Sequence, residues 1–312
     1  MSAYLLRRLW QMLPTLLGVI LLVFFLFNWV GGDPAYILAG KMSNKEQIAN
    51  IRTQLGIDQP FYIQLGIFIK QIVTFDFGSS WSTGESVANV IKTRLGPSLT
   101  VLIPLTILET LIAVGLALAI AFVRGSFVDR AVMVACTVGM SISILVYIIV
   151  FQYFFAYKLG LFPVQGWGDN FFDNLFRYAL LPIFIGLAVS VAPTLRLFRT
   201  FVLDEINQDY VRTARAKGVS ERRILWVHVL RNAAIPILTF VMSNLPALLI
   251  GAFLIERFFS IPGIGREVIL AVERSDFPVI KAITVYVAIA TMFFNLLTDL
   301  LYQAVDPRVQ LK

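Results

Sequence analysis

Six apolar runs constrain this chain more than any other feature. They are Leu9–Gly32, Leu95–Val123, Ala131–Tyr157, Tyr178–Leu195, Asn232–Ile255 and Ala282–Thr298, and Glu109 is the one charge within them. A helix needs roughly 20 apolar residues to cross the ~30 Å hydrocarbon core of a bilayer. The fourth and sixth runs fall short of that, so flanking residues whose charged tips snorkel to the interface must complete them. Buried segments of a soluble core would alternate with period 2 or 3.6, whereas these runs are apolar on every side. Composition agrees: only 14% of the residues are charged and the mean hydropathy is +0.80. The expected fold class is an all-α integral membrane protein with six transmembrane helices. The first run is longer than a secretory signal core and lacks a small-residue cleavage site directly after it, so it is expected to stay as the first span.

Lys and Arg in short loops set orientation. Arg7 and Arg8 precede the first span, Arg124 and Arg130 bracket the loop after the second, and Arg308 and Lys312 follow the last. With six spans these all fall on one side, which is read as the cytoplasm, so both termini are expected there. The net charge of +7 is then mainly a topology signal, and nucleic acid is not an expected partner. Three parts follow: residues 1–30 with the first span, an external helical segment 31–97, and a five-helix core 98–312.

The external segment carries helix punctuation. Ser43-Asn44-Lys45-Glu46 reads as a capping box, followed by Ile48, Ile51 and Leu55 and closed by Gly56. Pro60 stands early in a second helix, where its missing N–H is harmless. A third helix, Ser86 to Leu95, puts Val87, Val90, Ile91 and Leu95 on one stripe before Gly96. A second external segment, 256–281, is broken by Pro262 and Gly263, and Ile264 to Val272 forms a short helix there. With Arg266, those two residues make either an interfacial cover for the last spans or a gate at the outer mouth.

Catalytic constellations are nearly absent. His228 is the only histidine and Cys136 the only cysteine, which leaves no His- or Cys-based metal site, triad or disulfide framework. Gly40-Lys41 resembles the end of a phosphate loop, but Ala35 replaces its first glycine and Met42 its Ser or Thr. The chain is therefore not expected to bind ATP or to be an enzyme. Glu109 is expensive inside a span: it either lines a water-filled pathway or accepts a hydrogen bond from a Thr or Ser on a neighbouring helix. Ser243 and Asn244 in the fifth span, and Asn295 in the sixth, are softer candidates.

The stretch DYVRTARAKGVSERRILWVHVLRNAAIP, residues 209–236, looks foreign in so apolar a chain. Arg212, Arg215, Lys217, Arg222, Arg223 and Arg231 fall within it. Asp209 is read as capping a helix to Lys217, Gly218 as ending it in the left-handed conformation, and Ser220 as capping a second helix that runs into the fifth span. A DNA-reading helix would need a polar exposed face. This one reads Ile224, Leu225, Trp226, Val227, Val229, Leu230 and is tethered at both ends to spans, so it could hardly enter a groove. A two-helix knob for docking a soluble partner remains.

That stretch resembles the EAA loop of binding-protein-dependent ABC importer permeases, in the form found in the peptide and nickel group. RTQLGIDQPFYIQ (52–64), FSIPGIGR (259–266), RSDFPVI (274–280) and DLLYQAVDPRV (299–309) resemble the same group. Of the general loop pattern only Ala214, Gly218 and Leu230 are kept; Arg212, Thr213, His228 and Arg231 depart from it. The resemblance implies the first permease of a dipeptide or oligopeptide system in the bacterial inner membrane, with nickel or another small solute as the alternative cargo. It implies a second homologous permease, two ATPase subunits that bind the ATP and Mg, an external substrate-binding protein, and membrane lipid as partners. It also assigns ATPase coupling to Thr213, Ala214, Arg215, Ala216, Lys217, Gly218, Ser220, Arg222 and Arg223. A stand-alone secondary transporter would instead show matching broken spans in two halves, and none is visible.

Overall fold

The computed structural model describes residues 2–30, 34–39 and 44–305. Arg308, Lys312, the Gly40-Lys41-Met42 segment and Ser43 lie outside them. All regular elements among the described residues are helical. They run α1 (Ser2–Phe25), α2 (Pro34–Ala39), α3 (Lys45–Leu55), α4 (Phe61–Thr74), α5 (Val87–Phe122), α6 (Phe127–Ser141), α7 (Ile144–Phe151), α8 (Phe171–Asp173), α9 (Leu180–Ile206), α10 (Asp209–Ala216), α11 (Glu221–Arg223), α12 (Leu230–Asn244), α13 (Ala247–Ile250), α14 (Phe253–Phe258), α15 (Ile264–Glu273) and α16 (Phe277–Val305). Stretches of π-helix follow α1, α7, α8 and α11. Five helical segments are long and apolar enough to cross a bilayer: Trp10–Asn28, Val87–Phe122, Leu180–Ile206, Glu221–Phe258 and Phe277–Leu300. Phe127–Ser141 and Ile144–Lys158 make a sixth only as a pair, because they meet at 92°.

Four local expectations are corrected. The third span is not one straight helix; it breaks at Ile142, where the backbone turns extended and Ser143 caps α7 by accepting from the Leu145 N–H. The amphipathic stretch after Ser86 is not a separate external helix. It continues through Gly96 and Pro97 into the second span as one 36-residue helix, since proline within a membrane helix costs little when neighbouring helices re-satisfy the backbone. The fourth helix runs past Leu195 to Ile206 and takes Arg196 and Arg199 with it. The α3 cap also shifts by one residue: Asn44 is the N-cap, and its backbone N–H donates to Gln47 Oε1 at 3.2 Å.

Packing explains how the helices hold together. In lipid, helices gain little from hiding apolar surface, so close contact and interhelical polar bonds do the work. One core joins Ala113, Ala117 and Leu118 of α5 to Phe198 and Val202 of α9 and Ala233 and Ile237 of α12. A second joins Val23 and Phe24 of α1 and Phe68 and Ile72 of α4 to Val279, Ala282 and Ile283 of α16. Arg8 pairs with Asp299 at 2.8 Å, so the start of α1 and the end of α16 lie side by side. The most buried ion pair among the described residues ties α6 to α9. Asp129 accepts there from Arg199 Nε at 2.9 Å and from its Nη2 at 2.8 Å.

The segment between α1 and α5 is latched to the last span by one carboxylate. Asp276, 1% exposed, accepts from the Trp81 N–H, the Ser82 N–H and both the Ser80 and Ser82 hydroxyls. Trp81 then stacks edge-on against Phe277, and Phe277 against Phe27.

Candidate functional site

The knob between the fourth and fifth spans folds as its punctuation requires. Helix α10 begins at Asp209 with Gln208 as its N-cap, one residue earlier than the sequence suggests. Its end is a Schellman closure: the Val219 N–H donates to Ala214 O at 3.2 Å and the Gly218 N–H to Arg215 O at 2.9 Å. That geometry needs a left-handed residue, and Gly218 supplies it with φ +74. Ser220 is the N-cap of α11, which passes through a π-helical stretch into α12.

One face of the knob belongs to the membrane bundle. Val211, Ala214, Ile224, Leu225 and Val229 are buried in the same core as Ala117, Phe198 and Val202. Ala214 therefore packs inward against this chain, and its small side chain serves the approach of α10 to its own bundle. Arg124 of the loop after α5 donates to Asn207 Oδ1 at 3.3 Å, joining the knob's root to the end of the second span. Tyr210 donates to Glu205 Oε2 at 2.7 Å. Burial, reinforced by that carboxylate, outweighs a hydrogen bond from Asn232 and pushes the phenol up to about 12.

The other face is exposed and basic. Thr213, Arg215, Ala216, Lys217, Gly218, Ser220, Arg222 and Arg223 all face outward. Arg215 is held by this chain's own Glu221, at 2.6 Å from Nε to Oε1 and 3.2 Å from Nη2 to Oε2, across the Gly218 turn. That hydrogen bond raises the guanidinium above its usual value. The sequence shows Glu221 as a first-turn acid but not its pairing with Arg215, which exists only once the turn between them has closed. Among the described residues no carboxylate pairs with Lys217, Arg222 or Arg223, so these three carry the positive rim.

The intramembrane candidates are not gathered in one place. Glu109 accepts from the Thr194 hydroxyl of α9 at 2.5 Å. Asn244 donates to its own helix at Phe240 O, and it and Ser243 are exposed. A cleft of about 300 Å³ between α5 and α12 is walled by Thr106, Thr110, Val241 and Leu245 instead.

The segment 256–281 is built around a residue that sequence reading passed over. Glu256 is fully buried; its Oε1 accepts from Ser98 Oγ at 2.8 Å and the Ala252 N–H at 2.9 Å, and its Oε2 from the Arg266 N–H at 3.0 Å. Ser98 in turn accepts from the Ile264 N–H at 2.9 Å. The carboxylate thus caps the first turns of α14 and α15, where the helix dipoles favour negative charge, and ties both to the second span. Gly263 is required by the same contact, since a Cβ there would run into the Glu256 carboxylate and lie 2.5 Å from Ser98 Oγ. Pro262 and Arg266 border this knot, with Arg266 Nη1 donating to Ser260 O at 2.9 Å. The available signal was the three glycines Gly251, Gly263 and Gly265 flanking a lone acid.

Comparison with known proteins places this architecture. Residues 111–311 match the model of the binding-protein-dependent transport system inner membrane component, and residues 1–102 match that of the N-terminal part of such membrane components. The chain is 33% identical to a probable peptide ABC transporter permease protein of Sinorhizobium fredii, over 99% of this chain and 100% of that one. It is 34% identical to the glutathione transport system permease protein GsiC of Salmonella choleraesuis over 100% of both chains. A putative peptide transport system permease protein of Brucella abortus is 34% identical over 99% of each. Full-length likeness, membrane-spanning helices and the knob converge: the chain belongs to the family of binding-protein-dependent transport system inner membrane components.

Proposed function

We propose that this chain is one of two permease subunits of an ATP-driven importer of peptides in the bacterial inner membrane. A second homologous permease completes the pathway, an external binding protein delivers the cargo, and two ATPase subunits bind ATP and Mg beneath. The knob faces the cytoplasm together with both termini, as the distribution of Lys and Arg favours. The observation that carries this reading is the knob's two-sidedness. Its outer rim of Lys217, Arg222 and Arg223 is open to an acidic groove, while its inner face is packed into the core of the second, fourth and fifth spans. A push on the rim is therefore delivered to three helices at once. Relatives named for peptide and glutathione transport support peptides over nickel as cargo.

Gly218→Val tests the coupling. A β-branched residue at φ +74 costs roughly 1–2 kcal/mol, enough to reshape the turn without unfolding the spans. In proteoliposomes holding the full complex, the variant should insert and assemble, and ATP hydrolysis should continue while peptide uptake falls. Uptake at the normal rate would remove the knob from the coupling path. Peptide uptake by the lone chain without ATP would replace the importer by a stand-alone transporter.

A further inference from the structure

We propose that Arg196, with the Thr137 hydroxyl beside it, is an anion station inside the membrane that takes the carboxylate of the passing peptide. This rests on the peptide importer reading above. Two arginines stand one turn apart on α9. Arg199 is neutralised by the bidentate contact with Asp129. Arg196 has no carboxylate partner among the described residues; it donates to Thr137 Oγ1 at 3.5 Å and to Met140 Sδ at 3.8 Å. Its side chain is exposed in a cleft of about 470 Å³ between α6 and α9, whose wall includes Thr137, Val138, Arg196 and Thr200.

Depth decides between the anions that could fill this cleft. Thr137 is seven residues beyond Arg130, near the start of α6, and Arg196 eight residues before Asp204, near the end of α9. At 1.5 Å per residue both rulers put this pair about 10 to 12 Å inward of those charges, within the ~30 Å hydrocarbon core. A lipid phosphate stays at the interface and does not reach that level. Charges held there face a water-filled cavity or the bundle interior, and the third span breaks five residues beyond Thr137, at Ile142. A solute crossing through water is the anion that arrives at this depth. Every unmodified peptide carries a C-terminal carboxylate, which a guanidinium binds through paired hydrogen bonds.

The test uses the complete importer in proteoliposomes, with saturating loaded binding protein and a tripeptide offered as free acid or C-terminal amide. Each variant rate is divided by the wild-type rate for the same peptide, which cancels selection by the binding protein. Arg196→Gln should lower uptake of the acid about tenfold or more per ATP hydrolysed and leave the amide within about twofold. Thr137→Val, nearly isosteric, should lower the acid-to-amide ratio a few-fold and keep the proposal testable if Arg196→Gln does not assemble. An unchanged ratio in the variants that assemble, or equal losses for acid and amide, would overturn the station while leaving the importer intact. A wild-type complex that moves neither peptide would overturn the peptide reading, and the station with it.

Discussion

Replacing Glu256 offers the sharpest test of how the segment 256–281 is held. The carboxylate receives two donors on Oε1, from Ser98 and Ala252, and one on Oε2, from Arg266. In Glu256→Gln the amide oxygen serves best on the two-donor side, which turns the NH₂ toward the Arg266 N–H. One buried donor then loses its acceptor, at a cost of about 1–3 kcal/mol. Glu256→Ala strips all three donors. Water entering the vacated space recovers part of that, leaving a loss of about 3–5 kcal/mol. The assay is the inactivation half-life of the detergent-solubilised complex at a fixed elevated temperature, with hydrogen exchange over residues 251–266 as the local readout. The order should be wild type, then Gln, then Ala, with exchange rising first in that segment. An Ala variant as durable as wild type, or a Gln variant no better than Ala, would show that the carboxylate does not hold the knot.

Two further substitutions probe the ionic contacts. Asp129→Leu leaves Arg199 half-buried and unpaired, a loss of about 3–5 kcal/mol; Asp129→Leu with Arg199→Met should recover most of the thermal durability, and failure of that rescue would show that the pair does more than neutralise itself. Arg215 and Glu221 are 42% and 46% exposed, so their coupling in a double-mutant cycle should stay below about 1 kcal/mol and shrink as salt is raised. A coupling of several kcal/mol would mean that the pair is shielded from water in the assembled complex.

Sequence patterning revealed what depends on local chemistry. The apolar runs marked where spans lie, Gly218 marked a left-handed closure, and Ser220 marked a cap, because each follows from a residue's own conformational limits. It did not reveal contacts that join distant parts of the chain. Ser98 meets Glu256 across 158 positions and Ser80 meets Asp276 across 196, and no periodicity encodes such meetings. The end of the fourth helix was misplaced for a related reason. Arg196 and Arg199 look like a span boundary until Asp129 is known to face one of them. The 92° break at Ile142 was hidden because Ser141-Ile142-Ser143 has no charge, glycine or proline to mark it. Among the candidate residues, the knob was legible as a local motif, whereas Glu256 and Arg196 acquire meaning only from their neighbours.

The break in the third span also sets a hydration requirement. Ending α6 and restarting α7 frees the last carbonyls of one helix and the first amides of the next. Ser143 Oγ takes the Leu145 N–H, and the Tyr147 hydroxyl donates to Gly139 O at 3.0 Å. The flanking residues Met140, Ser141, Ile142 and Ser143 are exposed on this chain taken alone. Hydrocarbon cannot satisfy the remaining backbone groups, so in the membrane they must meet water or another polypeptide. The single chain is for that reason an unfinished solute for a bilayer: its elbow becomes soluble in lipid only when a second surface closes over it or a water column fills it.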